Sequence, residues 1–230
     1  MTAKKVRLNK IKSFFGTVAK YCVYIAQVYA RWLSLAWGTT RNTIQLRWRL
    51  SGITAVHEAG HTVFCWSRPE FIFIERVYAR WDGEGTTRYC IDRKNRVTQK
   101  LMMIQLAMTG MAAERLLCSH WIADGNTSDR IMIVKYALSA SKDDPTYPLP
   151  LPPTAERWRQ ESQEVIRILP ARADLLPHQL QLISDAYCMS RAFVEAHRDQ
   201  ILDLARDLVK KKEMNGKQIR DQLGPRPFEQ

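Results

Sequence analysis

The segment HEAGH, residues 57–61, holds the residue types and the spacing that are best suited to chemistry. His57 and His61 are four positions apart, so on a helix they lie one turn apart on the same face. Their imidazoles can then bind one Zn²⁺, which takes three protein ligands and a water in catalytic sites. Glu58 can reach that water as a general base without binding the metal itself. The pattern predicts a hydrolytic zinc site. The alternative is a helix that carries two ordinary core or surface histidines.

A third protein ligand has to come from another part of the chain. The stretch after His61 reads TVFCWSRPE and has no histidine six residues on, and the other histidines belong to no matching motif. These are His120, His178 and His197. Two acids are candidates: Glu114 on a later predicted helix, and Asp129, where DGNTSDR begins the next one. Asp129 also suits a structural role, because an acid near the positive end of a helix is stabilising. The residues alone leave both acids open.

The elements that must position these residues form a mainly α fold with one small β hairpin. A helix is predicted from about Ile53 to Trp66, and Pro69 ends it. Aromatic and branched residues over 71–79 and 86–91 flank the turn WDGEG, which predicts the hairpin. Further helices are predicted over residues 97–118, 127–141, 154–168, 178–211 and 215–222. Five prolines within 145–153 predict a loop.

The positive charge of the chain is concentrated at its start. Residues 1–57 contain ten Lys or Arg and no acid, whereas the net charge of the whole chain is +12. A one-sided basic segment indicates an anionic partner. Binding of nucleic acid is not expected, because the aromatic residues follow a helical stripe and no nucleic-acid-binding motif is present.

Residues 13–37 are predicted to form a basic amphipathic helix. One stripe is apolar. It comprises Phe14, Val18, Tyr21, Ile25, Val28, Tyr29, Trp32 and Ala36. Lys20 and Arg31 interrupt the segment, and its longest charge-free run, residues 21–30, is far shorter than the roughly 20 residues that span a bilayer. The segment therefore suits attachment to an anionic membrane surface, peripherally on the cytoplasmic face. The alternative is that the stripe packs on the rest of the domain or on a second subunit.

The cysteines indicate a reducing compartment. Their number is odd, their spacings are wide and there is no CxxC pair, which argues against a disulfide framework. They are Cys22, Cys65, Cys90, Cys118 and Cys188. Each lies among apolar neighbours and is expected to be a small buried side chain. A cytoplasmic location follows as the expectation.

Several segments together resemble the peptidase domain of the FtsH family of membrane-bound, ATP-driven zinc proteases. HEAGH is identical to the family motif, and TGMAAERL (109–116) is similar to its Gly-Gly-Arg-Ala-Ala-Glu-Glu-Leu segment. DGNTSD (124–129) is similar to its Thr-Gly-Ala-Ser-Asn-Asp stretch, whose last residue is the third zinc ligand. The resemblance covers about residues 53–223. It implies that His57, His61 and Asp129 bind Zn²⁺, with Glu58 as the base and Glu114 as a supporting residue.

The chain also departs from that family. No GxxxxGK[ST] nucleotide-binding loop is present, and Thr109 and Met111 replace a Gly and the Arg of the family segment. The resemblance thus implies proteolysis without ATP-driven unfolding, on unfolded chains, flexible segments or peptides. It also makes a homo-oligomer possible, because the family's peptidase domains form hexameric rings.

The expected organisation is a basic segment, residues 1–50, ahead of an FtsH-like zinc peptidase domain, residues 51–230. The expected function is that of an ATP-independent zinc metalloendopeptidase acting on protein or peptide substrates. The alternative is a non-catalytic, membrane-associated adaptor that keeps the peptidase fold as a scaffold.

Overall fold

Two buried helices, α1 (Leu50–Trp66) and α2 (Arg96–Leu117), form the centre of the fold in the computed structural model. The structure describes residues 50–80, 83–91, 96–118, 127–140 and 157–228. Every residue of α1 from Ala55 to Trp66 is buried, which is typical of a helix surrounded on all sides. The sheet, α2 and the later helix Arg198–Lys211 pack on it. The helix predicted from about residue 53 is therefore confirmed, with its start three residues earlier.

The sheet lies against α1 and has three strands, in the order β2-β1-β3. Strands β1 (Phe71–Ala79) and β2 (Gly85–Ile91) form the predicted antiparallel hairpin. A third strand, β3 (Glu213–Asn215), pairs with the other edge of β1. The sequence prediction of a hairpin alone was thus incomplete, because three residues are too few to carry a period-2 pattern.

The other helices pack around this centre. They are α3 (Thr127–Leu138), α4 (Arg159–Arg167), α5 (Pro177–Ala196), α6 (Arg198–Lys211) and α7 (Gly216–Leu223), with a 3₁₀ turn at Arg172–Asp174. Their order and positions confirm a mainly α fold. Helix α3 packs on α2, and α4 packs on α5. Most of the core between these helices and the sheet is one apolar cluster, and Trp158 and Cys188 form a small separate one.

The single helix predicted over residues 178–211 is wrong, because the chain breaks at His197. The backbone of His197 has φ −111° and ψ 21°, although neither Gly nor Pro is present there. Its ring stacks on Phe193, with centroids 4.0 Å apart. The two halves pack on different partners, α5 on α2 and α6 on α1. Tertiary packing therefore overrides a continuous helical pattern.

Two predicted features lie outside the described residues. They are the basic amphipathic helix within residues 1–50 and the proline-rich loop at 145–153. The described residues belong to one unit that begins at Trp48 and ends at Gln230, and the predicted boundary after residue 50 falls in the first turn of α1. Within the described ranges, no helix combines the length and the apolar character needed to cross a membrane. The described cysteines, Cys65, Cys90, Cys118 and Cys188, carry free thiols.

Candidate metal centre

Helix α1 places His57 and His61 side by side in the interior. The two side chains are one helical turn apart, their ring centroids are 4.5 Å apart, and each residue is at most 7% exposed. Burial at this level is unusual for imidazoles without partners. The structure thus brings the predicted pair together on one face, as the i, i+4 spacing requires.

Two glycines allow α2 to approach this pair closely. A Cβ atom on Gly110 would lie 2.6 Å from the Nε2 atoms of both His57 and His61. A Cβ atom on Gly60 would lie 3.0 Å from the Cβ of Ala113. Any larger residue at position 110 would therefore occupy the space directly against the two imidazoles.

The hydrogen bonds to the two Nδ1 atoms orient both rings. His61 Nδ1 lies 2.8 Å from the backbone oxygen of Leu106, and His57 Nδ1 lies 2.8 Å from Glu114 Oε1. A carbonyl oxygen can only accept a hydrogen bond, so His61 carries its proton on Nδ1. The carboxylate of Glu114 favours the same tautomer for His57. In the neutral rings, both Nε2 lone pairs are consequently available to a ligand.

Asp129, in the first turn of α3, completes a group of three potential ligand atoms. Its Oδ2 lies 2.8 Å from His57 Nε2 and 3.3 Å from His61 Nε2, and the two Nε2 atoms are 2.8 Å apart. Ligand atoms around a tetrahedral Zn²⁺ with bonds of 2.0–2.1 Å are about 3.3 Å apart. The buried group of His57, His61 and Asp129 could therefore hold a metal ion after shifts of about half an ångström.

The electrostatics of the group favour a positive charge at its centre. Burial alone would lower the pKa of His57, but Asp129 and Glu114 together hold that pKa well above its ordinary value. Burial would likewise raise the pKa of Asp129, yet the two histidines hold it below the usual range. Both shifts have the same cause, because a carboxylate and a cation stabilise each other inside a low-dielectric site. The same carboxylates would stabilise a divalent cation bound between these side chains.

Glu58 lies beside the group and is held by β2 rather than by the histidines. Its side chain is buried, Thr87 Oγ1 donates a hydrogen bond of 2.8 Å to Oε2, and a Cβ atom on Gly85 would lie 2.8 Å from Oε1. Burial raises the pKa of the Glu58 carboxyl group, and the two histidines reduce that shift. Glu58 is thus an oriented carboxylate close to the centre but outside the three-residue group.

The structure brings all the predicted site residues together. Glu114, the rival candidate for the third ligand, contacts the Nδ1 side of His57, whereas Asp129 faces the Nε2 atoms of both rings. Sequence reasoning missed Thr87. Two threonines follow Gly85, and no local signal tells which of them faces α1. The strand register decides this, because Thr87 pairs with the buried Val77.

No protein-family model matches the chain, and no curated protein matches it. Any function of this protein therefore has to be inferred from the residues of the site.

Proposed function

We propose that this protein is an ATP-independent, zinc-dependent endopeptidase. The observation that carries the proposal is the convergence of two imidazole Nε2 atoms and one carboxylate oxygen beside the oriented carboxylate of Glu58. Two nitrogen donors and one oxygen donor would suit Zn²⁺, and three protein ligands are the number typical of catalytic zinc sites. The resemblance of HEAGH and DGNTSD to the FtsH peptidase motifs supports the same assignment.

Each residue of the site has its own role in the proposed reaction. His57, His61 and Asp129 would bind the ion, while Glu114 and the Leu106 carbonyl keep both rings oriented. Zn²⁺, when bound, supplies a Lewis acid that polarises the substrate carbonyl and makes water more acidic. Glu58 takes a proton from the attacking water as its oxygen bonds to the carbonyl carbon. Glu58 then gives that proton to the amine nitrogen as the peptide C–N bond breaks.

Thr87 prepares Glu58 for this role. Its hydroxyl donates to Oε2, which leaves Oε1 as the oxygen that accepts the proton from water. The nearby Gly85 allows β2 to pass close to the carboxylate. A fixed base lowers the entropy lost on reaching the transition state. The substrates we propose are unfolded chains, flexible segments and peptides, because no nucleotide-binding loop is present in the sequence to drive unfolding.

The site favours an enzyme over a non-catalytic scaffold. A scaffold has no need to bury two imidazoles against a carboxylate, since taking charged groups out of water costs stability even when they are paired. It also has no need for a carboxylate oriented by a threonine next to that group. A catalytic metal centre accounts for both features.

The test is metal analysis combined with a casein cleavage assay, with and without a chelator. Purified protein should contain about one Zn²⁺ per chain, and chelation should abolish cleavage that added Zn²⁺ restores. Glu58→Gln should retain Zn²⁺ and fold normally but lose cleavage by at least about a hundredfold, because only the proton transfer is removed. Normal cleavage by Glu58→Gln would show that the assigned mechanism is wrong. A wild-type chain that binds no metal would overturn the proposal.

We also propose that the basic N-terminal segment attaches the enzyme peripherally to an anionic membrane surface on the cytoplasmic side. The excess of ten positive charges over residues 1–57 supports this, as does the apolar stripe over residues 13–37. A homo-oligomer is compatible with the proposal.

A further inference from the structure

Each of the two carboxylates that contact His57 is followed in sequence by an arginine. The pairs are Glu114–Arg115 at the end of α2 and Asp129–Arg130 at the start of α3. Both arginines reach toward the same neighbour, helix α4 or the residue just beyond it. The two carboxylates belong to different helices, but each is adjacent to an arginine that contacts α4 or its C-terminal end.

Arg115 makes the stronger of the two connections. Its Nε lies 2.9 Å from Glu161 Oε1, and its Nη2 lies 2.5 Å from Glu164 Oε2. The other oxygen of Glu161 lies 2.9 Å from Nε of Arg191 on α5. The side chains of Arg115, Glu161 and Arg191 are only 12–20% exposed, so solvent and salt screen this cluster less than a surface pair.

Arg130 makes the second connection, at the other end of α4. Its Nη1 donates a long hydrogen bond of 3.4 Å to the backbone oxygen of Ile168, the residue that follows the last turn of α4. Arg130 is adjacent to Asp129, so the first turn of α3 is tied to α4 next to the metal-facing carboxylate. Helix α4 itself is docked by apolar residues, because Val165 and Ile166 are buried.

The support acts where helices are least rigid. Glu114 lies in the last turn of α2, which ends at Leu117, and Asp129 lies in the first turn of α3. Terminal turns lack part of their intrahelical hydrogen bonds and fray. A carboxylate that must stay within hydrogen-bond distance of a buried imidazole cannot tolerate such fraying, because metal affinity depends on orientation.

We infer that α4 is a strut that preorganises the metal centre, with Glu161 as its main positioning residue. Glu161 fixes Arg115 and with it the end of α2. Glu114 then stays on His57 Nδ1, and Nε2 stays aimed at the ion. This inference rests on the proposed zinc site. The competing account is that the Glu161 cluster contributes to the overall stability of the fold without any specific effect on metal affinity.

The experiment measures Zn²⁺ affinity by competition with a chromophoric chelator, and thermal stability of the metal-free protein, for the full chain and its variants. Glu161→Gln should weaken Zn²⁺ binding by about tenfold, the low end of the effect of outer-shell changes. Glu164→Gln, at a side chain 46% exposed, should give a smaller loss in the same direction and remains informative if Glu161→Gln folds poorly. Glu213→Gln is the matched control, since it removes an ion pair with Arg76 at a side chain 54% exposed on β3.

The outcomes separate the two accounts. Wild-type affinity in Glu161→Gln and Glu164→Gln, with a lower melting temperature of the metal-free protein, would overturn the strut and leave the zinc site intact. An equal loss of affinity in Glu213→Gln would also overturn it, because the effect would then follow general destabilisation. Graded losses in the two α4 variants, with the control at wild-type affinity, support the strut. If the wild-type chain binds no Zn²⁺, both the proposed function and the role of α4 as a strut are wrong.

Discussion

At the scale of single residues, the two carboxylates that contact His57 have different positions and therefore different expected effects. Asp129 faces Nε2 of both rings, whereas Glu114 contacts only Nδ1 of His57. Removal of a donor that faces the ion should cost more affinity than removal of a group that orients a donor. Removal of the Asp129 carboxylate should therefore lower Zn²⁺ affinity more than removal of the Glu114 carboxylate.

We expect Asp129→Ala to lower Zn²⁺ affinity by more than about a hundredfold and Glu114→Ala by about ten- to a hundredfold. Glu114→Gln is the control, because its amide oxygen can still accept the hydrogen bond from Nδ1–H and should preserve most of the affinity. Chelator competition and metal content after dialysis measure these losses. The reverse order, with Glu114→Ala losing more zinc, would exchange the roles of the two acids.

The hydroxyl of Thr87 gives a second prediction at this scale. Thr87→Val removes the hydrogen bond to Glu58 Oε2 while it keeps the shape of the side chain. A hydrogen bond to a charged group contributes about 1.5–3 kcal/mol, so kcat should fall by about ten- to a hundredfold with Zn²⁺ retained. Thr87→Ser should restore most of the rate in steady-state peptide cleavage. An unchanged kcat in Thr87→Val would show that this hydroxyl does not contribute to the reaction.

At the scale of elements, the close contact between α1 and α2 creates the site. Alanine in a helix interior is ordinarily more stable than glycine by about 1 kcal/mol. At position 110 the added methyl group would meet both Nε2 atoms at 2.6 Å. We expect Gly110→Ala to keep its helical circular dichroism but to lose Zn²⁺ affinity by at least about tenfold, because the imidazoles must move.

Gly60→Ala is the comparison for this variant. Its Cβ atom would lie 3.0 Å from Ala113 Cβ and 3.2 Å from the Thr109 oxygen, and none of its nearest contacts is an imidazole. It should affect thermal stability more than zinc affinity. If Gly110→Ala binds Zn²⁺ as tightly as wild type, the two imidazoles can accommodate the added methyl group and the prediction is wrong.

At the scale of the whole molecule, the charge distribution predicts binding of the protein to an anionic membrane surface. Each Lys or Arg near an anionic surface contributes about 1 kcal/mol of binding free energy, and burial of the apolar stripe adds to this. The chain of residues 1–230 should float with vesicles that contain phosphatidylserine, and less so at high salt. A chain that begins at Trp48, the first residue of the unit that holds the site, should stay at the bottom of the gradient but still bind Zn²⁺.

The flotation experiment also tests the alternative. If the apolar stripe packs on the rest of the domain or on a second subunit, the chain of residues 1–230 will not float. Unfolding or aggregation of the chain that begins at Trp48 would likewise assign the stripe a structural role.

Local sequence determined much of the fold and the composition of the site. The spacing of HEAGH places two histidines on one helical face, and the turn WDGEG between two β-rich runs gives the hairpin. These features depend on residues within a few positions of one another, so backbone geometry and side-chain periodicity suffice to predict them.

Only the tertiary structure decided the relations between distant segments. It placed Asp129 on the Nε2 side and Glu114 on the Nδ1 side of His57, turned Thr87 toward Glu58, and divided the predicted helix at His197. Glu114 is 57 positions from His57, and Thr87 is 29 positions from Glu58. No local pattern specifies such contacts, because the packing of α2, α3 and β2 on α1 and the register of the sheet set them.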